Sequence, residues 1–124
     1  MRCDDDSLPE SSALYRWSRF IIEASIAFQR PINVAHTYKE LMEEAGFENV
    51  VETQFKWPQN RWPKDKKHKE IGMFTQANVD EGLEGLSMAL FTRGLGWSKE
   101  EVIAFATDVR KDIRNIKMHG YWPM

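Results

Sequence analysis

The 124-residue sequence has a single cysteine, Cys3. A disulfide framework is excluded, and so is any zinc site built from several thiolates. Neither sign of charge is in useful excess: 17 basic and 19 acidic side chains give a formal net charge of -2. No global field draws such a chain onto nucleic acid or an anionic membrane. No apolar run approaches the roughly 18 residues that a membrane-spanning helix needs. No apolar stretch follows the opening Met1-Arg2-Cys3-Asp4-Asp5-Asp6 either, so no secretory signal is expected. The histidines are His36, His68 and His119, and no two have the i, i+4 spacing of a helical metal site. With 42% apolar and 29% charged residues, what remains is one globular domain over residues 1–124. A cytoplasmic location is expected, with the nucleus as the alternative.

The periodicities that are present are mostly helical. Leu14, Trp17, Ile21, Ala24 and Phe28 recur at spacings of three and four, which predicts a first helix capped by Ser11 or Ser12 and stopped by Pro31. A second helix is predicted from Asn33 to Ala45, with Tyr38, Leu41, Met42 and Ala45 facing inward and Gly46 as its stop. Val51, Thr53, Phe55 and Trp57 alternate with polar residues up to Pro58, the pattern of a strand. From Asp65 to Gly94 the pattern is helical again. Each internal glycine costs about 1 kcal/mol against alanine, so a break into two helices is expected near Gly82. Ser98 and Glu101 form a capping-box pair ahead of a last helix that carries Val102, Phe105, Val109, Ile113 and Ile116 on one face. The expected class is mainly α with one short β-strand. A single strand leaves both edges unpaired, so its neighbour is expected from another copy of the chain or from a longer parent protein.

Several short stretches carry a resemblance. Leu41-Met42-Glu43-Glu44-Ala45-Gly46-Phe47 followed by Val50-Val51 looks like the late helix-to-strand step of class I S-adenosylmethionine-dependent methyltransferases. Arg2-Cys3-Asp4-Asp5, Tyr15-Arg16-Trp17, Trp62-Pro63-Lys64-Asp65, Glu81-Gly82-Leu83-Glu84-Gly85, Leu95-Gly96-Trp97-Ser98 and His119-Gly120-Tyr121-Trp122-Pro123 follow in order. Together they resemble the C-terminal half of fungal LaeA-like and related secondary-metabolism methyltransferases, over nearly the whole chain. The resemblance implies the C-terminal part of a class I α/β fold, truncated, that begins just after the fifth strand, contains the sixth and stops where the seventh would go on. In that family the cofactor sits on the N-terminal half. This chain has no G-x-G motif after a strand, and Gly94-Leu95-Gly96 matches the letters between two helices. No S-adenosylmethionine site is therefore expected on this chain alone.

The family's C-terminal half covers the acceptor side. By that resemblance Tyr15, Trp17, Trp62, Phe74, Tyr121 and Trp122 are candidate lining residues for an apolar or aromatic small molecule, since aromatics offer rigid surface with a polar handle. Trp17 also fits the core stripe of the first helix. His119 is the candidate proton-transfer residue, although a helix C-terminus suits histidine for local reasons too. The run from Arg61 to Lys69 reads as a solvated helix start, Asp4-Asp5-Asp6 as a solvated acidic tail on a mobile end, and Cys3 as part of a frayed terminus. Three readings follow. One is a truncated methyltransferase-like, substrate-side segment that does not transfer methyl alone, working with a complementary N-terminal half or left as a relic or the product of a partial gene. Another is a repurposed cofactor-independent cyclase or isomerase acting on a polyketide-like metabolite, which needs the chain to fold alone, as a homodimer that pairs its strand. The third is a non-catalytic binding partner whose strand augments another sheet.

Overall fold

The computed structural model describes all 124 residues. Four α-helices form in chain order: α1 (Ala13–Ala27), α2 (Tyr38–Glu44), α3 (Lys66–Ala89) and α4 (Lys99–Arg114). A 3-10 turn (Ala35–Thr37) leads into α2, and a π-helical turn (Leu90–Gly94) continues α3. Two three-residue strands, β1 (Lys56–Pro58) and β2 (Tyr121–Pro123), pair antiparallel with Trp57 opposite Trp122.

The core is helical. Leu14, Trp17 and Ala24 of α1, Leu83 of α3, Phe91 of the π-helical turn and Val102, Ala106, Val109 and Ile113 of α4 are all buried. Of these, the three-and-four spacing marks Leu14, Trp17, Ala24, Val102, Val109 and Ile113, whereas Phe28, marked with them, lies past the end of α1 and is exposed. Ser12 caps α1 through Tyr15 N–H, and Asp112 of α4 accepts from Leu14 N–H at 3.1 Å. Two side chains thus serve the otherwise unpaired amides of one helix end. The capping box forms as expected, with Glu101 N–H donating to Ser98 Oγ and Ser98 N–H donating to Glu101 Oε2. Across the α1–α3 contact, the buried indole N–H of Trp17 donates to Ser87 Oγ at 2.8 Å, and that hydroxyl donates to Leu83 O. A buried indole is thereby satisfied without water. Phe20, Phe91, Trp97 and Phe105 close the other side, with Phe20 5.2 Å from Trp97 at 71°.

Several expectations need correction. The strand is much shorter than Val51–Trp57, and Val51 (82% exposed) and Phe55 (60%) lie outside it on the surface. Its neighbour is not another copy or a parent sheet but the chain's own segment Tyr121–Pro123, flanked by reciprocal bonds between Phe55 and Met124. Alternation makes a stretch fit for pairing. The ladder then runs only as far as the partner does, and here the partner offers residues 120–124. Arg2 joins the other side of β2 through reciprocal 2.9 Å bonds with Tyr121.

Next, α3 is one continuous helix of 24 residues through Gly82 and Gly85. Packing of Leu83 and Ser87 outweighs the propensity cost of the two glycines. The second helix begins at Tyr38 after the 3-10 turn, with no side-chain cap from Asn33. Its apolar residues do not face inward: Tyr38, Leu41 and Met42 are about half exposed, and no residue from Ile26 to Trp57 is buried. Gly46 does stop it, at φ +93°. Finally, Ile116 lies beyond α4 and is exposed.

Gly72 on α3 is the one helical glycine that packing requires. A Cβ there would stand 1.9 Å from the backbone oxygen of Asn60, whereas one on Gly85 meets nothing within 4 Å. Gly72→Ala is expected to destabilise the chain by about 2 kcal/mol or more. Gly85→Ala should stabilise it by about 0.5–1 kcal/mol. Urea unfolding of the two variants checks both, and equal effects would refute the close approach of α3 to the 58–63 loop.

Candidate functional site

Three distant stretches converge at one end of the molecule: residues 2–8, the loop 58–63 and the segment 115–123. The loop is set by its amides. Asn60 is fully buried; its Nδ2 donates to Ile113 O (2.8 Å) and Asn115 O (3.1 Å), and its Oδ1 accepts from Trp62 N–H. The side chain therefore ties the loop to the C-terminal end of α4, where carbonyls lack helical partners. Gln59, also buried, donates to Met118 O at 3.1 Å, while its Oε1 has no hydrogen-bond partner and faces Gly120. A Cβ on Gly120 would lie 2.2 Å from that oxygen.

On this frame Trp62 donates its indole N–H to Gly120 O at 3.0 Å. Its ring stacks on His119, centroids 4.9 Å apart and planes tilted by 32°. The backbone N–H of His119 donates to Ser7 Oγ at 2.8 Å, and its Nδ1 bonds to the Asp5 carboxylate. Asp5 also accepts from Ser7 N–H (3.1 Å) and Cys3 Sγ (3.2 Å). Beside it Asp4 accepts from Tyr121 Oη at 2.8 Å and pairs with Lys56, whose ammonium lies 4.6 Å from the centre of the Tyr121 ring. The acidic opening is thus not a mobile tail, and Cys3 is not frayed. Asp4 and Asp5 are held by groups more than fifty positions away, which no local pattern reveals, and Cys3 is tied in turn to Asp5 and Ser7.

The charges respond to these contacts. Hydrogen bonds from Ser7, His119 and Cys3 hold the Asp5 carboxyl far below the usual carboxylate range. Lys56 and then Tyr121 lower Asp4, while the bond to Asp4 raises both the Tyr121 phenol and the Lys56 ammonium.

Of the sequence-derived candidates, Trp62, His119 and Tyr121 meet here. Trp122 is half-buried and meets the edge of Trp17, 6.1 Å away at 82°; Trp17 itself belongs to the helical core. Tyr15 lies on α1 with its hydroxyl donating to Glu10 at 3.2 Å. Phe74 is 68% exposed, in a surface depression of about 390 Å³ shared with Trp57 and Ile71. A larger depression of about 490 Å³, between Ser12, Arg16, Phe105 and Asp112, contains none of the seven. His68 bonds to the exposed N-cap Asp65, and His36 sits exposed in the 3-10 turn. No three His, Cys, Asp or Glu side chains are grouped to hold a metal ion, and no helix is long and apolar enough to cross a membrane. Sequence reasoning misses Asp5, Ser7 and Asn60. The only local signal was that Asp5 and Trp62 lie in stretches singled out for their resemblance.

The Gly94–Gly96 stretch runs from the π-helical turn of α3 into α4, helix to helix.

Since Asp4 and Asp5 titrate lower folded than unfolded, their contribution to stability is present above the ordinary carboxylate pKa of about 3.9 and is lost as pH falls below it. Urea midpoints measured from pH 7 to pH 3 are expected to fall less steeply in Asp5→Asn than in the unaltered chain. Parallel curves would show that the Asp5 contacts do not persist in solution.

No family profile matches the chain, and no solved structure matches it. Curated relatives do. A probable methyltransferase of Emericella nidulans, tdiE, is 38% identical over 121 residues, 98% of this chain and 38% of the relative. A secondary metabolism regulator of Cochliobolus heterostrophus is 36% identical, over 97% of this chain and 39% of its own length. The regulator laeA of Aspergillus fumigatus is 32% identical, over 97% and 32%. The chain thus spans between about a third and two fifths of the length of these relatives. It is homologous, over nearly its whole length, to a segment of fungal methyltransferases and LaeA-type secondary metabolism regulators.

Proposed function

We propose that this chain is the acceptor-side segment of a class I methyltransferase-like protein of fungal secondary metabolism, and that it does not hold S-adenosylmethionine by itself. The observation that carries the reading is the match to relatives named as methyltransferases or secondary metabolism regulators, end to end on this chain and over about a third of theirs. The sheet supports it. The resemblance puts the start of the chain just after the family's fifth strand, β1 in its sixth and β2 at the beginning of its seventh. Here β2 pairs with β1 on one side and Arg2 bridges to Tyr121 on the other.

The surface supports it as well. The stretch from Ile26 to Trp57 buries nothing, yet exposes Ile32, Tyr38, Leu41, Met42, Phe47, Val51 and Phe55. A seven-residue helix is too short to be stable on its own in water, and so many exposed apolar side chains in one stretch support an interface there. The complementary polypeptide of the relatives is the partner that this face fits. Methyl transfer asks mainly for positioning of an in-line acceptor, and the Trp62–His119–Tyr121 end of this chain is the part that contributes to it, toward an apolar or aromatic acceptor. Cyclisation or isomerisation without a cofactor would need an enclosed pocket, and none of the three principal depressions is lined by more than one of the seven candidate residues.

Calorimetric titration of the chain with S-adenosylhomocysteine is expected to give no saturable heat, and stoichiometric tight binding would overturn the proposal. Adding the unmatched remainder of the Emericella nidulans relative as a separate polypeptide should slow amide hydrogen exchange within residues 26–57. Unchanged exchange there would remove the complementary polypeptide as the partner.

A further inference from the structure

His119 is held at three points. Its backbone N–H donates to Ser7 Oγ, one face of its ring rests on Trp62, and its Nδ1 meets the Asp5 carboxylate. Each support is itself anchored: Trp62 by Gly120 O and by Asn60 Oδ1, Asp5 by Ser7 N–H and Cys3 Sγ. The fourth feature of the ring, Nε2, bonds to no protein group, and the side chain is 36% exposed. The other ionisable groups at this junction, Asp4, Lys56 and Tyr121, are engaged with one another. An ionised carboxylate is an acceptor only. Asp5 therefore requires the ring proton on Nδ1 and leaves a lone pair on Nε2.

We propose that Asp5 and His119 form a preoriented acid–base pair, with His119 Nε2 as the proton acceptor and Asp5 as its positioning residue. The logic is that of a carboxylate that fixes the tautomer and orientation of an imidazole and stabilises the imidazolium that forms. Such a pair takes a proton from a phenolic or enolic hydroxyl presented at the Nε2 edge beside Trp62. The O–H bond breaks, the proton joins Nε2, and the electron pair stays on oxygen as an oxyanion. The resulting imidazolium faces the Asp5 carboxylate. Only the choice of acceptor rests on the methyltransferase-like reading; the acid–base pair does not.

The test is nitrogen-15 NMR of the imidazoles in the full 124-residue chain, with diethyl pyrocarbonate as the probe for a free ring nitrogen. Neutral His119 is expected in a single tautomer, protonated on Nδ1, and diethyl pyrocarbonate should acylate its Nε2. Asp5→Asn should lose the single-tautomer signature and show both forms, a change that a purely structural contact would not produce in a folded chain. A neutral His119 protonated on Nε2 in the unaltered protein would overturn the proposal. So would a His119 that stays unmodified while His36 and His68 react. Both decisive readings are made on the unaltered chain, so a poorly folding variant leaves the question answerable. They are also independent of the S-adenosylhomocysteine titration, so either idea can fail alone.

Discussion

The buried carboxamide of Asn60 is the constraint on which the active-looking end of the molecule depends. Its Nδ2 reaches two carbonyls at the exit of α4, and its Oδ1 holds the backbone of Trp62. Leaving buried carbonyls unpaired costs about 1–3 kcal/mol each, so the loop has little freedom to sit elsewhere. Trp62 follows from Asn60, and the ring of His119 follows from Trp62. The bare Cα of Gly72 lets α3 lie against the same loop from the other side. One amide and one missing methyl thus locate an aromatic pair that belongs to no regular element.

Electrostatics at this end is arranged by pairing. Asp4 takes Lys56 and Tyr121; Asp5 takes His119, Ser7 and Cys3. These groups are largely solvated, so each pair contributes little to overall stability. What the pairs contribute is direction: adjacent carboxylates that would otherwise repel are turned to different partners. Away from the site, Arg110 and Arg114 of α4 converge on Asp80 of α3, with Arg110 also bonding to Glu84. That network fixes the pitch between two helices whose packed faces are otherwise apolar.

Local chemistry was legible in the sequence, and long-range chemistry was not. The stripe Leu14–Trp17–Ala24, the stop at Gly46 and the Ser98–Glu101 box follow from spacing and from caps, and the structure keeps them. The unbroken α3 did not follow, because propensity at Gly82 and Gly85 yields to the burial of Leu83 and Ser87. The inward face expected of α2 is an outward one, because periodicity tells which residues share a face but not whether anything covers it. The partner of β1 lay beyond any window of alternation. Trp62 and His119 stood out as residue types in unusual company. Asp5, which gives His119 its orientation, read as one of three solvated acids, since a contact 114 positions away leaves no local trace.

The placement of β2 between Arg2 and β1 has a consequence for how the chain is made. It is synthesised after both of its neighbours, and both wait for it. During synthesis α1, α3 and α4 are complete before β2 and able to meet, whereas Arg2, Asp5 and Lys56–Gln59 stand unpartnered until residues 119–124 emerge. Closure over so long a separation carries a loop-entropy cost. Until it happens, the backbone edges that β2 will occupy on Arg2 and β1 are open. A foreign strand that paired there first would keep β2 from closing the sheet.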